Sequence, residues 1–249
     1  PHIPVHPGAR SLAVAQDRSR EKAFAAGLAI PMARFADVRD EASLAAALDI
    51  VGTPAILKTA TQGYDGKGQA RIAKLSGAAE AWQTIGRHRA VLEEMIAFDG
   101  EFSVLLARGI DGSIALWDCP ENVHKDGILS ESLVPARPAI ARHVAAAVAH
   151  SIALAEALDH VGVLACEFFA TPGGPLFNEM APRVHNSGHW TIEGAVTSQF
   201  ENHIRAICGL PLGATTRSGP AVRMRNPIGG VVDAWFDLFS TPEACVHLY

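Results

Sequence analysis

The sequence predicts an α+β protein built as two lobes with a cleft between them. Three observations point there. A small first part alternates short strands and helices around a glycine-rich stretch at residues 59–69. Strand-like runs then succeed one another from residue 91, with tight turns at Asp111-Gly112 and Asp126-Gly127. Finally, Pro172-Gly-Gly-Pro175 separates two apolar runs, which is a hairpin signal.

Size and composition bound the reading. The chain has 249 residues, enough for one large or two small domains. Apolar residues make up 49% and charged residues 19%, a globular composition. A net charge of −5 without a basic cluster argues against a nucleic-acid partner. No apolar run approaches the ~20 residues of a membrane helix. Cys119, Cys166, Cys208 and Cys245 are widely spaced without a CxxC, so a zinc site is not expected and a reduced, cytoplasmic chain is. The histidines scatter, no internal repeat is visible, and the N-terminal Pro1 carries no signal-peptide pattern. Both ends read as those of a fragment of a longer protein.

The elements follow in order. Residues 11–26 read as one helix closed by Gly27. Ile30-Pro31 opens an extended stretch, and residues 40–48 form a helix with Asp40 and Glu41 in its first turn. Residues 54–58 are a short buried strand ending in Lys58, and residues 70–73 resume strand character. A helix is expected at 78–86 and a strand at 91–96. Strands at 101–108 and 113–118 pair across Asp111-Gly112, and residues 121–125 continue the sheet. Residues 140–158 are the clearest helix, with Ile140, Val144, Val148 and Ile152 as one buried stripe. Residues 191–207 form a second amphipathic helix, ended by Gly209 and Pro211. The tail from Ala221 is strand-rich, including residues 234–239.

Two stretches carry chemistry. Gly63, Gly66 and Gly68 make residues 59–69 a backbone-exposing loop between strands, able to cradle phosphate, with Lys67 as a mobile charge. The Walker pattern is absent, and an ordinary glycine hairpin is the alternative. In the hairpin, each apolar run carries one carboxylate, Glu167 and Glu179. A three-residue loop at 172–174 would set them directly opposite on one face, which is unfavourable unless a hard divalent cation lies between them. Two edge carboxylates facing water are the alternative, since a one-residue slip separates them. Arg183, His185 and Asn186 follow at once and suit an oxyanion.

Lys58, then Gly63-Tyr64-Asp65-Gly66-Lys67-Gly68-Gln69, then Glu93-Glu94-Met95-Ile96 with Glu101, then Glu167 and Asn178-Glu179, follow in an order that resembles the ATP-grasp superfamily. More narrowly, Ala15-Gln-Asp-Arg18, Glu121-Asn-Val-His124, Asp126-Gly-Ile-Leu129 and Ala181-Pro-Arg-Val-His-Asn-Ser-Gly-His-Trp190 resemble the 5-(carboxyamino)imidazole ribonucleotide synthetase family. The resemblance covers roughly residues 10–232, and the Pro-Arg-Val-His-Asn-Ser-Gly-His block is its most specific part.

That resemblance implies an ATP-grasp fold and, position by position, a site. Arg18 and Lys58 would contact ATP phosphates, and the Gly63–Gln69 flap would close over them, with Tyr64 and Asp65 touching the imidazole substrate or shaping the flap. Glu93, Glu94, Met95 and Ile96 would form the adenine hinge, Glu101 would hold the ribose, and His124 would lie near the nucleotide. Glu167 and Glu179 would bind Mg²⁺ or Mn²⁺ with Asn178. Strict alternation sends Asn178 to the other face, so its role needs the strand to end or twist there. Arg183, His185 and Asn186 would hold bicarbonate and carboxyphosphate, with His185 carrying a proton near an unperturbed pKa of about 6.5.

The implied activity is an ATP-grasp carbon–nitrogen ligase of purine (IMP) biosynthesis. It carboxylates 5-aminoimidazole ribonucleotide with bicarbonate and releases ADP and phosphate. The implied domains are a linker and helix at 1–30 after an N-terminal Rossmann-like domain, a small lobe at 31–97, a large lobe at 98–212, and the start of a C-terminal β domain at 213–249. A homodimer is implied by resemblance. The rivals are another ATP-grasp ligase, such as a formate-using purine transformylase or biotin carboxylase, and a nucleotide-binding module without turnover.

Overall fold

The computed structural model describes residues 4–61, 68–230 and 235–248. Two helices open the chain, α1 (Ala9–Ala15) and α2 (Arg18–Gly27), where one was expected. Asp17 makes the break. It takes an extended conformation, and its side chain accepts hydrogen bonds from Ser19 N and Arg20 N, capping α2. Gly27 lies inside the helix rather than after it; Ala29, at φ 55°, takes the left-handed position.

The small lobe comprises β1 (Phe35–Val38), α3 (Glu41–Val51), β2 (Ala55–Thr59), β3 (Gln69–Ile72), α4 (Ala78–Thr84) and β4 (Ala90–Glu94). Its antiparallel sheet runs β1-β4-β2-β3. Asp40 and Ser43 form a capping box at the start of α3. Leu44, Leu48 and Val51 of α3 and Trp82 of α4 pack on Leu57, Ile72 and Leu92 of the sheet.

The large lobe comprises β5 (Gly100–Arg108), β6 (Ile114–Leu116), β7 (Glu121–Lys125), β8 (Ile128–Val134), α5 (Pro138–Ala141), α6 (Val144–Ala157), β9 (Gly162–Thr171), β10 (Gly174–Ala181), α7 (Thr191–Gly194), α8 (Gln199–Ile207) and β11 (Val222–Arg225). The sheet runs β10-β9-β5-β7-β8-β11, with β6 on β5. Alternation sorts each strand. Phe102, Val104 and Leu106 of β5 join Leu164, Cys166 and Phe168 of β9 on one face, under α6 and α2. Leu105 and Ala107 join Val163 and Ala165 on the other, with Trp117 and Trp190.

Several expectations change. The helix at 140–158 is two, α5 and α6; Ile140 is buried as expected, and the rest of the buried face is Ala147, Ser151, Leu154 and Ala155. Val144, Val148 and Ile152 are only partly buried, because a four-residue spacing drifts about 40° per step around an α-helix. The helix at 191–207 is also two. Ala195 is extended and bridges Arg217, and Ser198 then caps α8. The large sheet does not stop at 212, since β11 pairs with β8. The tail that read as strand holds a helical turn, α9 (Trp235–Leu238). The opening segment is also more than a linker: Ala25 of α2 and Ile30 just after it are in the large-lobe core.

The hairpin loop is shorter than expected. Gly174 pairs with Thr171, leaving only Pro172 and Gly173 in the turn. Thr171 Oγ1 closes it, donating to Gly174 O and accepting from Gly173 N. With that register alone, Asn178 would face Glu167. A β-bulge between Phe177 and Glu179 absorbs one residue and sets Glu179 directly opposite Glu167.

Candidate active site

The polar end of the large sheet's second face gathers the charged groups. Glu101 and Ser103 on β5, Asn122 and His124 on β7, and Glu167 on β9 share one side by alternation, and the bulge adds Glu179. Burial raises the Glu167 pKa, and the Glu179 charge opposite raises it further. Burial also opposes charge on Glu179, but Arg18 outweighs it and holds that carboxyl low. Arg18 Nη1 lies 2.6 Å from Glu179 Oε2.

Oxygen donors dominate the spot. Besides the two carboxylates, Asn178 Oδ1 is buried without a hydrogen-bond partner. Two opposed carboxylates and an unsatisfied amide oxygen are the donor chemistry of a hard divalent ion, and they fit Mg²⁺ or Mn²⁺. Among the described residues no cluster of three or more His, Cys, Asp or Glu could hold a metal by itself. Substrate oxygens would have to complete the shell, as is usual for Mg²⁺ with phosphates.

Lys58, at the end of β2, reaches Glu93 Oε2 at 3.2 Å, and Lys22 of α2 reaches the same oxygen at 3.1 Å. Burial opposes ionisation of Glu93, yet the two lysine charges hold its pKa below the usual range. Glu93 is 4% exposed, so its side chain offers nothing to a ligand directly; it fixes Lys58 instead. Glu94 turns outward to Arg34 at 2.9 Å. The backbone N–H groups of Glu94 and Met95 donate to Arg34 O and Pro54 O. Ile96 follows in the irregular link to β5.

His124 Nδ1 lies 2.7 Å from Glu101 Oε2. Burial disfavours its charge, but the Glu101 bond and the nearby Glu167 and Glu179 carboxylates raise its pKa overall. Behind it, Asn122 donates to Ser103 Oγ at 2.6 Å and accepts from Ser132 Oγ at 2.8 Å, all three buried.

The segment after β10 carries the last group. Arg183 is exposed, and its guanidinium donates to Val184 O. His185 Nε2 stands 3.6 Å from Glu167 Oε1. Burial, helped by the Arg183 charge, pushes the His185 pKa down to about 4, so its imidazole is neutral near pH 7 and not poised near 6.5. The Asn186 side chain accepts from Ser187 N. Fully buried Gln199 holds the segment: it accepts from His185 N at 2.9 Å and donates to His185 O at 2.7 Å.

A cleft of ≈ 280 Å³ brings the carboxylate pair and Arg18 together with the segment after β10, lined by Arg18, Ala60, Thr61, Glu167, Glu179, Arg183 and His185 among others. Gly63, Tyr64, Asp65, Gly66 and Lys67 lie outside the described residues. Gly68 and Gln69 are described: Gly68, at φ 70°, accepts from Thr59 N, and Gln69 pairs with Lys58.

The ATP-grasp domain matches residues 23–200 of the chain. N5-carboxyaminoimidazole ribonucleotide synthase of Pseudomonas aeruginosa is 46% identical over 92% of this chain and 62% of its own length. The Brucella melitensis protein of that name is 46% identical over 98% of this chain and 68% of its own length. The chain belongs to the ATP-grasp family of N5-carboxyaminoimidazole ribonucleotide synthases. It spans 62% and 68% of the length of these two relatives. The synthase from Aspergillus clavatus, solved in complex with ADP and 5-aminoimidazole ribonucleotide, superposes with a TM-score of 0.91 at 28% identity. That match covers 99% of this chain and 67% of the Aspergillus chain.

Sequence reasoning passed over Glu21, Lys22 and Gln199. Glu21 is buried, and its Oε1 accepts from Met180 N at 2.6 Å; burial and the Glu179 charge raise its pKa. Arg18, Glu21 and Lys22 stand at i, i+3 and i+4 of one helix face, a spacing that signals a shared target. Gln199 gave no such signal, since a glutamine at a helix start reads as a surface residue.

Proposed function

We propose that this chain carries the ATP and bicarbonate chemistry of an enzyme that carboxylates 5-aminoimidazole ribonucleotide. The product is N5-carboxyaminoimidazole ribonucleotide, with ADP and phosphate released. The observation that carries this reading is the single cleft in which Glu167, Glu179 and Arg18 stand beside Arg183 and His185. One half suits a nucleotide phosphate, the other a small oxyanion next to it.

The residues divide the work. Lys58 and Arg18 offset phosphate charge, and Glu167 and Glu179, with Asn178 Oδ1, hold Mg²⁺ or Mn²⁺. That metal, when bound, neutralises charge on the transferring phosphoryl group. Bicarbonate oxygen attacks the γ-phosphorus, giving carboxyphosphate and ADP. Arg183 faces the charge of that intermediate, and Asn186 orients it. Neutral His185 offers a hydrogen bond at this point and does not add a second cation. Carboxyphosphate yields CO₂ and phosphate, and the exocyclic amine of the aminoimidazole captures the CO₂ within a site that must exclude water. His124, paired with Glu101, borders the nucleotide, and residues 93–96 form the adenine hinge.

The working enzyme is expected to be a cytoplasmic homodimer acting on small molecules in purine biosynthesis. Among the described residues no helix is long and apolar enough to cross a membrane. The test is ADP release by the purified protein with and without aminoimidazole ribonucleotide and bicarbonate. Stimulation by that pair is the expected result; formate-dependent release would move the chain to another ATP-grasp reaction.

A further inference from the structure

β10 is an edge strand of the large sheet, so half of its backbone groups have no neighbouring strand. Side chains and a loop take that place. Phe177 N donates to Pro31 O at 2.8 Å. Lys22 Nζ donates to Asn178 O at 3.1 Å, and Glu21 Oε1 accepts from Met180 N at 2.6 Å. Adjacent residues of α2 thus grip the backbone on both sides of Glu179, across the very bulge that sets Glu179 opposite Glu167. Lys22 is 1% exposed and Glu21 2%. Burying two such groups is costly unless each is paired, and an apolar pair would cost the core less. The grip also spans the lobes, because the Lys22 ammonium contacts Glu93 of β4, which holds Lys58.

We propose that Glu21 and Lys22 are positioning residues that clamp the β10 bulge and thereby set the carboxylate pair for metal-bound nucleotide. This deepens the proposed function and rests on its reading of Glu167 and Glu179. Without the clamp the bulge relaxes, and a one-residue slip turns Glu179 off the face.

The test is calorimetric titration with adenylyl imidodiphosphate, with and without Mg²⁺, on the wild type and on Lys22→Met, Glu21→Gln, Glu21→Leu and Glu179→Gln. Wild type is expected to bind the nucleotide more tightly with Mg²⁺. Lys22→Met should lose about 10-fold or more of that Mg²⁺-dependent tightening, the size usual for groups that orient a metal ligand. Glu21→Gln, which keeps an acceptor for Met180 N, should retain it, and Glu21→Leu should not. Adding Lys22→Met to Glu179→Gln should cost nothing further in Mg²⁺ dependence. The proposal is overturned if Lys22→Met keeps the full tightening, or loses affinity equally with and without metal and again in the Glu179→Gln background. If Lys22→Met does not fold, equal Mg²⁺ dependence of the two Glu21 variants overturns it. A wild type with no Mg²⁺ dependence overturns the metal reading itself, and the clamp with it.

Discussion

Glu179 and His185 are close in sequence and line the same cleft, yet they are held by different means. Glu179 sits in a hairpin whose central strand, β9, is bonded on both edges and buried on both faces. His185 sits in an irregular segment that is held largely through one side chain, Gln199, at its own N–H and C=O. A ladder spreads its stability over many bonds and the packed faces beneath them. A side-chain tether concentrates it in one residue. Glu167, on β9, should therefore tolerate local change better than His185, whereas Glu179, on the edge strand, shares the dependence of His185 on side-chain grips, in its case Glu21 and Lys22.

The largest effect should come from removing a charge while leaving the hairpin intact. Glu179→Gln is expected to lower ADP release by at least about 100-fold, with the protein still folded and its melting temperature lowered by no more than the loss of the Arg18 ion pair accounts for. Retention of a tenth of wild-type activity would contradict the assignment. Next is the tether. Gln199→Leu leaves the His185 N–H without its partner, at a cost of about 1–3 kcal/mol, while His185 O keeps the bond from Gly188 N. Thermal unfolding should report that loss, and bicarbonate-dependent turnover should drop about 10-fold with nucleotide affinity preserved. An equal fall in nucleotide affinity would show that the two ends are not held separately.

A smaller effect tests the foot of the hairpin. His160 is fully buried, its Nδ1 is 3.1 Å from Ser11 Oγ, and its Nε2 is 3.0 Å from Val163 O at the start of β9. Burial pushes its pKa down to about 4 in the folded chain, against an ordinary value of 6.5. Between those values the unfolded chain binds the extra proton. Stability from this group is therefore complete above pH 6.5 and is lost as pH falls toward 4, by up to about 3 kcal/mol. Urea midpoints across that window should fall more steeply for wild type than for His160→Gln; parallel curves would remove His160 from the account. The smallest effect belongs to the surface of the same sheet. Arg223 pairs with Glu131 across β11 and β8 at 2.8 Å in solvent. Arg223→Ala should move the melting temperature by no more than about 1 °C.

The strands around the site were legible because apolar runs and Asp-Gly turns mark them. At the second of these turns, Asp126 and Gly127 both take positive φ, as that dipeptide allows. The helices were less so. Asp17 and Ser198 act as caps in the middle of what read as continuous amphipathic runs, and a capping side chain breaks a helix without disturbing its apolar period. The carboxylate pairing was anticipated through the wrong geometry. A three-residue loop and a two-residue loop with a bulge give the same opposition of Glu167 and Glu179, and local sequence does not separate them.

By itself the sequence determined the order of the motifs, the two-lobed α+β architecture, and which residue types crowd the cleft. Those follow from periodicity, turn chemistry and charge, all read within a few residues. The tertiary structure decided the bulge, its grip by Glu21 and Lys22, and the neutral state of His185. The two gripping bonds join residues 159 and 156 positions apart. The His185 shift comes from burial, which exists only once the lobe has packed around it. Register, desolvation and long-range pairing are properties of the assembled chain, and no window of sequence contains them.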